Sequence, residues 1–218
     1  MPFTTLFFDL DDTLYASNNG LWDAIRARMG EYMVERVGIP REDVQALRRH
    51  YYQTYGTTLR GLQRHHQVDA DDYLGYVHDL PLKNYLQPTP GLRRILLSLP
   101  QPRWIFTNAD AAHAQRVLAC LDLAGCFEGI IDVRAIQFAC KPEPVAYQRA
   151  LALAGDPNPR QCVLLDDSPA NLAPAHDLGL TTVLVSSNGK SDPFAVVSIS
   201  SLMELPDKLP ELWENPDS

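Results

Sequence analysis

The sequence predicts an α/β fold in which a doubly wound, Rossmann-like parallel sheet forms the core and an all-helical domain is inserted into it. Three observations predict this architecture. Short apolar runs end in polar residues, stretches with helical spacing separate these runs, and residues 16–87 contain no strand pattern. The length of 218 residues fits one core with a sizeable insertion better than two full domains.

Four apolar runs are predicted to be buried strands, because they are continuous, rich in β-branched or aromatic residues, and followed by polar residues. They cover residues 5–8, 104–106, 163–165 and 182–185. Apolar residues at helical spacing lie between them, over residues 92–99, 117–121 and 145–153. Strand and helix therefore alternate, as they do in βαβ units.

The segment from residue 16 to residue 87, called the inserted segment below, breaks this alternation. Its apolar spacing predicts helices over residues 21–37, 41–55 and 71–79. Pro88 and Pro90 mark the return to the α/β pattern. We therefore assign residues 1–15 and 88–218 to the core domain and residues 16–87 to a helical domain. The tail after Leu205 is predicted to be a surface helix turn with a frayed end.

The charge balance excludes broad binding to nucleic-acid polymers or anionic membranes, which requires a basic surface. The chain has 27 acidic residues against 19 Lys and Arg, for a net charge of −8. The inserted segment is neutral, with nine residues of each sign, so the core carries the negative charge. The expected partner is a small molecule, and the expected state is a monomer or homodimer.

The cysteines and the N-terminal residues predict a cytoplasmic protein. Cys120, Cys126, Cys140 and Cys162 form no C-x-x-C pair and lack zinc spacing with histidine, so buried, reduced thiols are expected. The N-terminal apolar run is too short for a signal peptide, and no stretch has the ~20 apolar residues of a membrane span.

Acidic side chains, hydroxyls and one lysine cluster just after the predicted strands. They are Asp9, Asp11, Asp12 and Thr13 after the first run, Thr107 and Asn108 after the second, Asp166, Asp167 and Ser168 after the third, and Lys141 before a predicted helix. A single residue of this kind is usually a helix cap or a turn residue. Several together mark a site, because function in open α/β sheets gathers at the carboxyl ends of the strands.

The residue types at this edge suit phosphoryl transfer. Asp9 and Asp11 are two residues apart in extended backbone and point to the same side, so one can attack a substrate while the other protonates the leaving group. Clustered carboxylates repel one another, and their all-oxygen ligand set favours Mg²⁺. Thr107 offers a donor to phosphoryl oxygens, and Lys141 adds fixed positive charge. An aspartyl-phosphate intermediate, hydrolysed in a second step, follows from this set.

Four strings in the chain resemble the four motifs of the haloacid dehalogenase superfamily, in the order of that family. They are DLDDTL at 9–14, FTN at 106–108, KP at 141–142 and DDSPAN at 166–171. The resemblance covers essentially the whole chain, and the inserted segment resembles the helical C1 cap. Strings at 55–62, 77–82 and 107–110 are similar to the pyrimidine 5′-nucleotidase-like branch.

The resemblance implies a role for each matching residue. Asp9 would be the nucleophile and a metal ligand, and Asp11 the general acid and base that also gives its backbone carbonyl to the metal. Thr107 would bind the phosphoryl group with Asn108 lining the same loop, and Lys141 would hold nucleophile and phosphate together.

The metal ligands implied by the resemblance complete the site. Asp167 would bind Mg²⁺ directly and Asp166 through water, although the sequence leaves their order open. Asn171 stands where many relatives carry another Asp, so its role is left unassigned.

These features predict a Mg²⁺-dependent phosphomonoesterase. A dehalogenase needs no leaving-group acid such as Asp11, and a phosphonatase needs a Schiff-base lysine, whereas the one lysine of the inserted segment, Lys83, lies near its end. A mutase stays open. A receiver-like phospho-signalling module is the alternative from another class, but such modules are shorter and lack a helical insertion.

Aromatic residues of the inserted segment favour nucleoside 5′-monophosphates as substrates, with sugar phosphates or pyridoxal phosphate as alternatives. The segment holds Tyr32, Tyr51, Tyr52, Tyr55, Tyr73, Tyr76 and Tyr85. Aromatic side chains stack on nucleobases with roughly 1–3 kcal/mol each. The segment's histidines, His50, His65, His66 and His78, lack metal spacing and are predicted to be surface or packing residues.

Overall fold

The computed structural model describes residues 3–186 and 191–214. Six strands form one sheet: β1 (Thr5–Phe8), β2 (Arg103–Phe106), β3 (Gly129–Ile131), β4 (Cys162–Asp166), β5 (Thr181–Val185) and β6 (Val197–Ile199). Their order is β3-β2-β1-β4-β5-β6, and every neighbouring pair is parallel. The predicted doubly wound parallel sheet is confirmed.

The strand order reverses at β1. From β1 the chain builds β2 and β3 on one side, and then crosses back to build β4, β5 and β6 on the other. Phe8, the last residue of β1, lies beside Ile105 of β2 and Leu165 of β4. The loops that leave these three strands therefore emerge at one edge, at the switch point where open α/β sheets form a crevice.

Helices cover both faces of the sheet and fill the inserted segment. The described α-helices are α1 (Leu21–Glu35), α2 (Val44–Tyr55), α3 (Thr58–His66), α4 (Ala70–His78), α5 (Leu92–Ser98), α6 (Ala111–Cys120), α7 (Pro144–Leu153), α8 (Pro169–Asp177) and α9 (Leu205–Lys208). Leu6 and Phe8 pack with α5 and α6, whereas Phe7 packs with α7 and α8. This division follows from the alternation of side chains along a strand, and it explains why buried strands are continuously apolar.

The inserted segment contains α1 to α4 and, over residues 16–87, no strand. Tyr32, Met33, Leu62 and Tyr73 are buried in a second hydrophobic cluster, which also takes in Val133 and Cys140 of the core domain. The two ends of the inserted segment pack on the core domain. Leu21 and Ile25 at the start of α1, and Leu82 and Leu86 near the end of the segment, are buried in the hydrophobic cluster on the sheet. The domain boundaries at 15/16 and 87/88 therefore remain a proposal.

The structure differs from the sequence predictions at the sheet edges and in the tail. Strands β3 and β6 were not predicted, because each has only three residues and is incompletely buried. The predicted helix turn of the tail is present as α9, but it does not lie at the surface as predicted, since Leu205, Leu209 and Leu212 are buried in the cluster on the sheet. Residues 215–218, at the predicted frayed end, lie outside the described residues.

The structure bears on two further predictions, the state of the cysteines and the expected lack of a membrane span. All four thiols are free, with Cys126, Cys140 and Cys162 buried and Cys120 partly buried. Among the described residues, no helix is both long enough and apolar enough to span a membrane.

Candidate active site

The loops after β1, β2, β3 and β4 gather the predicted site residues at one edge of the sheet. They are Asp9, Asp11, Thr107, Asn108, Lys141, Asp166 and Asp167. The side chain of Lys141 contacts both Asp9 and Asp166, and the side chain of Asn108 contacts the backbone of Lys141. Lys141 reaches the edge from the loop between β3 and α7. Asp11 makes its contacts with Tyr15 and His113 instead.

Lys141 is the electrostatic centre of the site. Its side chain is 1% exposed, and Nζ donates to Asp9 Oδ1 at 2.8 Å and to Asp166 Oδ2 at 2.6 Å. Burial alone would lower the pKa of Lys141, but the charges of Asp166 and Asp9 outweigh it and raise that pKa above its ordinary value. The ammonium group therefore stays charged inside the protein.

Asn108 holds the backbone of Lys141. Its Nδ2 donates to the Lys141 carbonyl at 2.9 Å, and its Oδ1 accepts from the Lys141 N–H at 2.8 Å. Both ends of the amide are therefore engaged. In this geometry the side chain of Asn108 acts on Lys141 rather than on a bound substrate.

Asp166 is fully buried and surrounded by donors. Its Oδ1 accepts from the Ser168 N–H and from Asn171 Nδ2, both at 2.9 Å, while Oδ2 accepts from Lys141. The backbone of Asn171 is held in turn, because its main-chain carbonyl accepts from the Tyr147 hydroxyl at 2.6 Å. The residue left unassigned in the fourth motif thus orients the Asp166 carboxylate.

Three carboxylates lie close enough to hold a cation. One oxygen from each of Asp9, Asp166 and Asp167 lies within 4.8 Å of the others. Burial, and then repulsion from Asp9 and Asp166, raises the pKa of Asp167 to about 8. Burial also raises the pKa of Asp9 to about 7, although Lys141 opposes the shift. An all-oxygen cluster with such unfavourable self-repulsion fits a hard divalent cation.

The three carboxylates are not equally available to a cation. No described residue donates a hydrogen bond to Asp167, and the second oxygen of Asp9 has only a 3.3 Å contact with the Thr13 hydroxyl. Asp166, in contrast, has both oxygens engaged. The arrangement therefore leaves Asp9 and Asp167 free for direct ligation.

Asp11 is held by two donors that the sequence did not single out. Its Oδ1 accepts from the Tyr15 hydroxyl at 2.6 Å and from His113 Nε2 at 3.0 Å. Burial favours a higher pKa for Asp11, but the charge and hydrogen bond of His113 and the hydrogen bond of Tyr15 outweigh it and lower the pKa. Burial and the same contact raise the pKa of Tyr15, so its phenol keeps the proton.

A second buried histidine, His78, packs against His113. The rings of His78 and His113 stack with centroids 4.1 Å apart, and His78 Nδ1 lies 2.6 Å from Asp110 Oδ2. The prediction that His78 is a surface or packing residue is therefore incomplete, because His78 forms a buried hydrogen bond that joins the inserted segment to Asp110 at the start of α6. Asp110 also caps α6 through the backbone N–H of His113, three residues on, so one aspartate contacts both histidines.

Thr107 lies at the end of β2 and is 2% exposed. Its hydroxyl oxygen accepts from the Ala109 N–H at 3.0 Å, which leaves the hydroxyl proton to donate. Its backbone N–H bonds to Ile131 of β3. The side chain is thus fixed as a potential donor at the strand end.

The inserted segment packs directly on the lysine loop. A Cβ at Gly56, which has a φ of 81°, would lie 3.5 Å from the Lys141 carbonyl oxygen. Arg60 pairs with Glu143, just after Lys141. One turn before Gly56, Tyr52 is 56% exposed, and partial desolvation together with the charges of Asp167 and Asp166 raises its pKa. Tyr52 is therefore exposed and lies within the electrostatic reach of the acidic cluster.

The sequence and the structure are similar to known proteins. Residues 3–179 match a family of hydrolases described as haloacid dehalogenase-like. Phosphate metabolism protein 8 of Saccharomyces cerevisiae is 30% identical over 192 residues, which cover 82% of this chain and 60% of that protein. The chain thus spans less than two thirds of the length of this curated relative.

Solved structures with the same fold include three hydrolases. The HAD-hydrolase YfnB from Bacillus subtilis, bound to magnesium, superposes with a TM-score of 0.63 at 17% identity, covering 95% of this chain and 98% of that one. A HAD phosphatase from Thermococcus onnurineus gives 0.63 at 18%, with coverage of 94% and 96%. L-2-haloacid dehalogenase from Xanthobacter autotrophicus gives 0.58 at 18%, with coverage of 94% and 97%. At these identities the likeness concerns the fold alone.

Proposed function

The chain belongs to the haloacid dehalogenase-like hydrolases, and on that premise we propose that it is a phosphomonoesterase that passes a phosphoryl group first to Asp9 and then to water. The observation that carries the proposal is the position of Asp11. A carboxyl group held beside the nucleophile suits a leaving alkoxide, which needs a proton, whereas a leaving halide does not. The name of the yeast relative, a phosphate metabolism protein, is consistent with this choice.

In the first step, an oxygen of Asp9 attacks phosphorus and the bond from phosphorus to the ester oxygen breaks. Asp11 gives its proton to that oxygen. The negative charge of an arriving phosphate raises the proton affinity of Asp11, so the carboxylate of the free protein becomes an acid in the complex. Lys141 and Thr107 stabilise the charge on the transferring group.

In the second step, water attacks the phosphorus atom of the aspartyl phosphate. Asp11 accepts the proton of that water, and the bond between phosphorus and Asp9 breaks to release phosphate. Asn108 contributes by fixing Lys141, and Asn171 by fixing Asp166. Asn108 therefore positions Lys141, which contacts the substrate, and Asn171 positions Asp166, which holds Lys141.

We propose that Mg²⁺ is the cofactor. Asp9, Asp167 and the backbone carbonyl of Asp11 would hold it, with Asp166 acting through water. The cation would offset the repulsion within the carboxylate cluster and the charge of the phosphoryl group. The magnesium bound to the Bacillus subtilis relative supports this choice of ion.

We propose pyrimidine nucleoside 5′-monophosphates as the preferred substrates. Among the tyrosines of the inserted segment, Tyr32, Tyr51 and Tyr73 are buried in a hydrophobic cluster, so they cannot stack on a ligand. Tyr52 is the one exposed tyrosine of this segment, and the charges of Asp167 and Asp166 act on it, so we assign the stacking role to Tyr52. Sugar phosphates and pyridoxal phosphate are the competing substrates.

The remaining expectations belong to the same proposal: a small phosphorylated metabolite as partner, no nucleic-acid polymer or membrane, a monomer or homodimer, and a cytoplasmic location. A receiver-like signalling role is disfavoured because the chain belongs to a hydrolase family and carries a four-helix insertion. Phosphate release from UMP, CMP, glucose 6-phosphate and pyridoxal phosphate, with Asp9→Asn as the control, tests the proposed function. No release from any phosphomonoester in the presence of Mg²⁺ would refute it.

A further inference from the structure

The two oxygens of the Asp11 carboxylate have different surroundings. Tyr15 and His113 both donate to Oδ1, at 2.6 Å and 3.0 Å. No described residue forms a hydrogen bond with Oδ2. The side chain is 18% exposed, so it is largely enclosed but retains access to the crevice. The protein therefore fixes one oxygen and leaves the other free.

His113 is held in place through both its backbone and its ring. Its backbone N–H donates to Asp110 Oδ1 at 2.9 Å at the start of α6. Its ring is inclined by only 20° to the ring of His78, which Asp110 holds from the other side. The carbonyl of His78 accepts from Arg116 at 2.8 Å. The imidazole of His113 is thus clamped between α6 and the end of α4.

The two ring nitrogens of His113 differ in their hydrogen bonding. The side chain is 0% exposed, and its Nδ1 is buried without a hydrogen-bond partner among the described residues. A buried unpaired nitrogen costs free energy, which a phenyl ring in this stack would avoid. Within the described part of the chain, the ring has one hydrogen bond, from Nε2 to Asp11. Because the Asp11 carboxylate can only accept, Nε2 carries the proton.

We propose that His113 is a positioning residue for proton transfer, which together with Tyr15 holds Oδ1 of Asp11 and thereby dedicates Oδ2 to the leaving group. The inference rests on the proposed phosphatase function. When the ester bond breaks, the proton leaves Oδ2 for the leaving oxygen. The negative charge that remains on Asp11 is stabilised by the N–H of His113 and the O–H of Tyr15. In the second step, a proton of the attacking water returns to Oδ2.

This role predicts a specific dependence on the leaving group. A p-nitrophenolate leaves without assistance, whereas an alkoxide needs the proton of Asp11. The ratio kcat/KM reports only the steps through departure of the leaving group, so slow hydrolysis of the phosphoenzyme does not mask the effect. The measurement is therefore log kcat/KM against leaving-group pKa, for p-nitrophenyl phosphate, phenyl phosphate and an alkyl phosphate.

Two substitutions separate the hydrogen bond from the packing. His113→Phe keeps a ring on His78 but removes the donor, and His113→Gln restores a donor at the reach of Nε2 without the ring. We expect His113→Phe to lower kcat/KM for the alkyl phosphate by about 10- to 100-fold, because it removes part of the contribution of the general acid. The same substitution should lower kcat/KM for p-nitrophenyl phosphate far less. His113→Gln should recover much of the alkyl activity. His176→Phe, at an exposed histidine of α8, is the matched control and should leave the slope unchanged.

Tyr15→Phe removes the other donor and provides an independent variant in case His113→Phe does not fold. It should steepen the same slope. Equal losses on aryl and alkyl substrates, or an unchanged slope in both variants, would overturn the inference while leaving the phosphatase function intact. A wild-type protein that is inactive on every phosphate ester would overturn the proposed function, and this inference with it.

Discussion

Lys141 and Asp166 form a buried ion pair in which Nζ lies 2.6 Å from Oδ2 and the two side chains are 1% and 0% exposed. Asp166 thus serves to hold the lysine that also binds Asp9, 2.8 Å away. Because Ser168 and Asn171 occupy its other oxygen, Asp166 has little capacity left for a cation. The acidic cluster therefore has two parts: Asp166 orients Lys141, whereas Asp9 and Asp167 remain available to a cation.

Replacing Lys141 with methionine should both inactivate and destabilise the protein. The change leaves Asp9 and Asp166 buried without their counter-charge, and breaking a buried pair costs about 3–5 kcal/mol. Denaturant unfolding would measure the loss. The double variant Lys141→Met/Asp166→Asn should recover part of the stability but none of the activity. A Lys141→Met protein as stable as the wild type would contradict the assigned role.

Magnesium should raise the melting temperature of the wild-type protein, because it binds the folded cluster and not the unfolded chain. Asp167→Asn should reduce that rise and should raise the melting temperature in chelator, since it removes a repelling carboxylate. Calorimetry with titrated Mg²⁺ checks both effects, with the exposed Asp177→Asn as control. An equal magnesium shift in Asp167→Asn and wild type would exclude Asp167 as a ligand.

Activity should require the same ion. Mn²⁺ or Co²⁺ should substitute for Mg²⁺, whereas Ca²⁺ should inhibit because its coordination is larger and looser. Phosphate release after exhaustive chelation, followed by addition of each metal, measures this requirement. Full activity in the chelated protein would show that the cluster needs no cation.

Tyr52 should set the preference for nucleotides. Tyr52→Ala should lower kcat/KM for UMP about tenfold, or roughly 1.4 kcal/mol, if the ring stacks on the base. Glucose 6-phosphate, which has no base, should be affected far less, and Tyr52→Phe should behave as wild type. In the wild-type protein, kcat/KM for UMP and CMP should exceed that for glucose 6-phosphate by about tenfold or more. A parallel loss for both substrates would remove Tyr52 from the specificity site.

His78 should make the fold less stable in mild acid. Burial lowers its pKa from 6.5, although Asp110 opposes the shift, and His113 and Asp11 also face the ring. Because the folded-state pKa is depressed, the stabilising contribution is present above about 6.5 and is lost as the pH falls through the lower folded value. His78→Gln should be less stable at pH 7.5, with a gap that narrows toward pH 5. Urea unfolding curves that stay equally separated across this range would disprove the effect.

The sequence predicted those site residues that follow a strand. Asp9, Thr107 and Asp166 lie at the ends of β1, β2 and β4. A parallel sheet brings the carboxyl ends of neighbouring strands together, irrespective of the conformation of the loops that follow them. The strand interiors were equally predictable, because burial on both faces makes them continuously apolar. Strands of three residues at the sheet edges carry too little pattern to be seen.

The contact between Lys141 and Asp9, 132 positions apart, was expected from the resemblance, but other contacts across long sequence separations were not predicted. His113 reaches Asp11 over 102 positions, and nothing in the local pattern of α6 distinguishes that histidine from a packing residue. The same holds for Asn108, whose amide bonds to Lys141, 33 positions away. The contact between Asn171 and Asp166 spans only five positions, yet it was not predicted either. The direction of the Asn171 amide depends on the conformation of the loop between the two residues, which the sequence pattern does not give.

The central claim is that Asp9 carries the phosphoryl group during turnover. Rapid acid quench of the protein with Mg²⁺ and substrate, followed by peptide mass spectrometry, tests it most directly. The peptide that contains Asp9 should gain the mass of one phosphoryl group in the wild-type protein, and Asp9→Asn should show neither the adduct nor turnover. Detection of the adduct on another residue, or turnover by Asp9→Asn above a few per cent of wild type, would contradict the account.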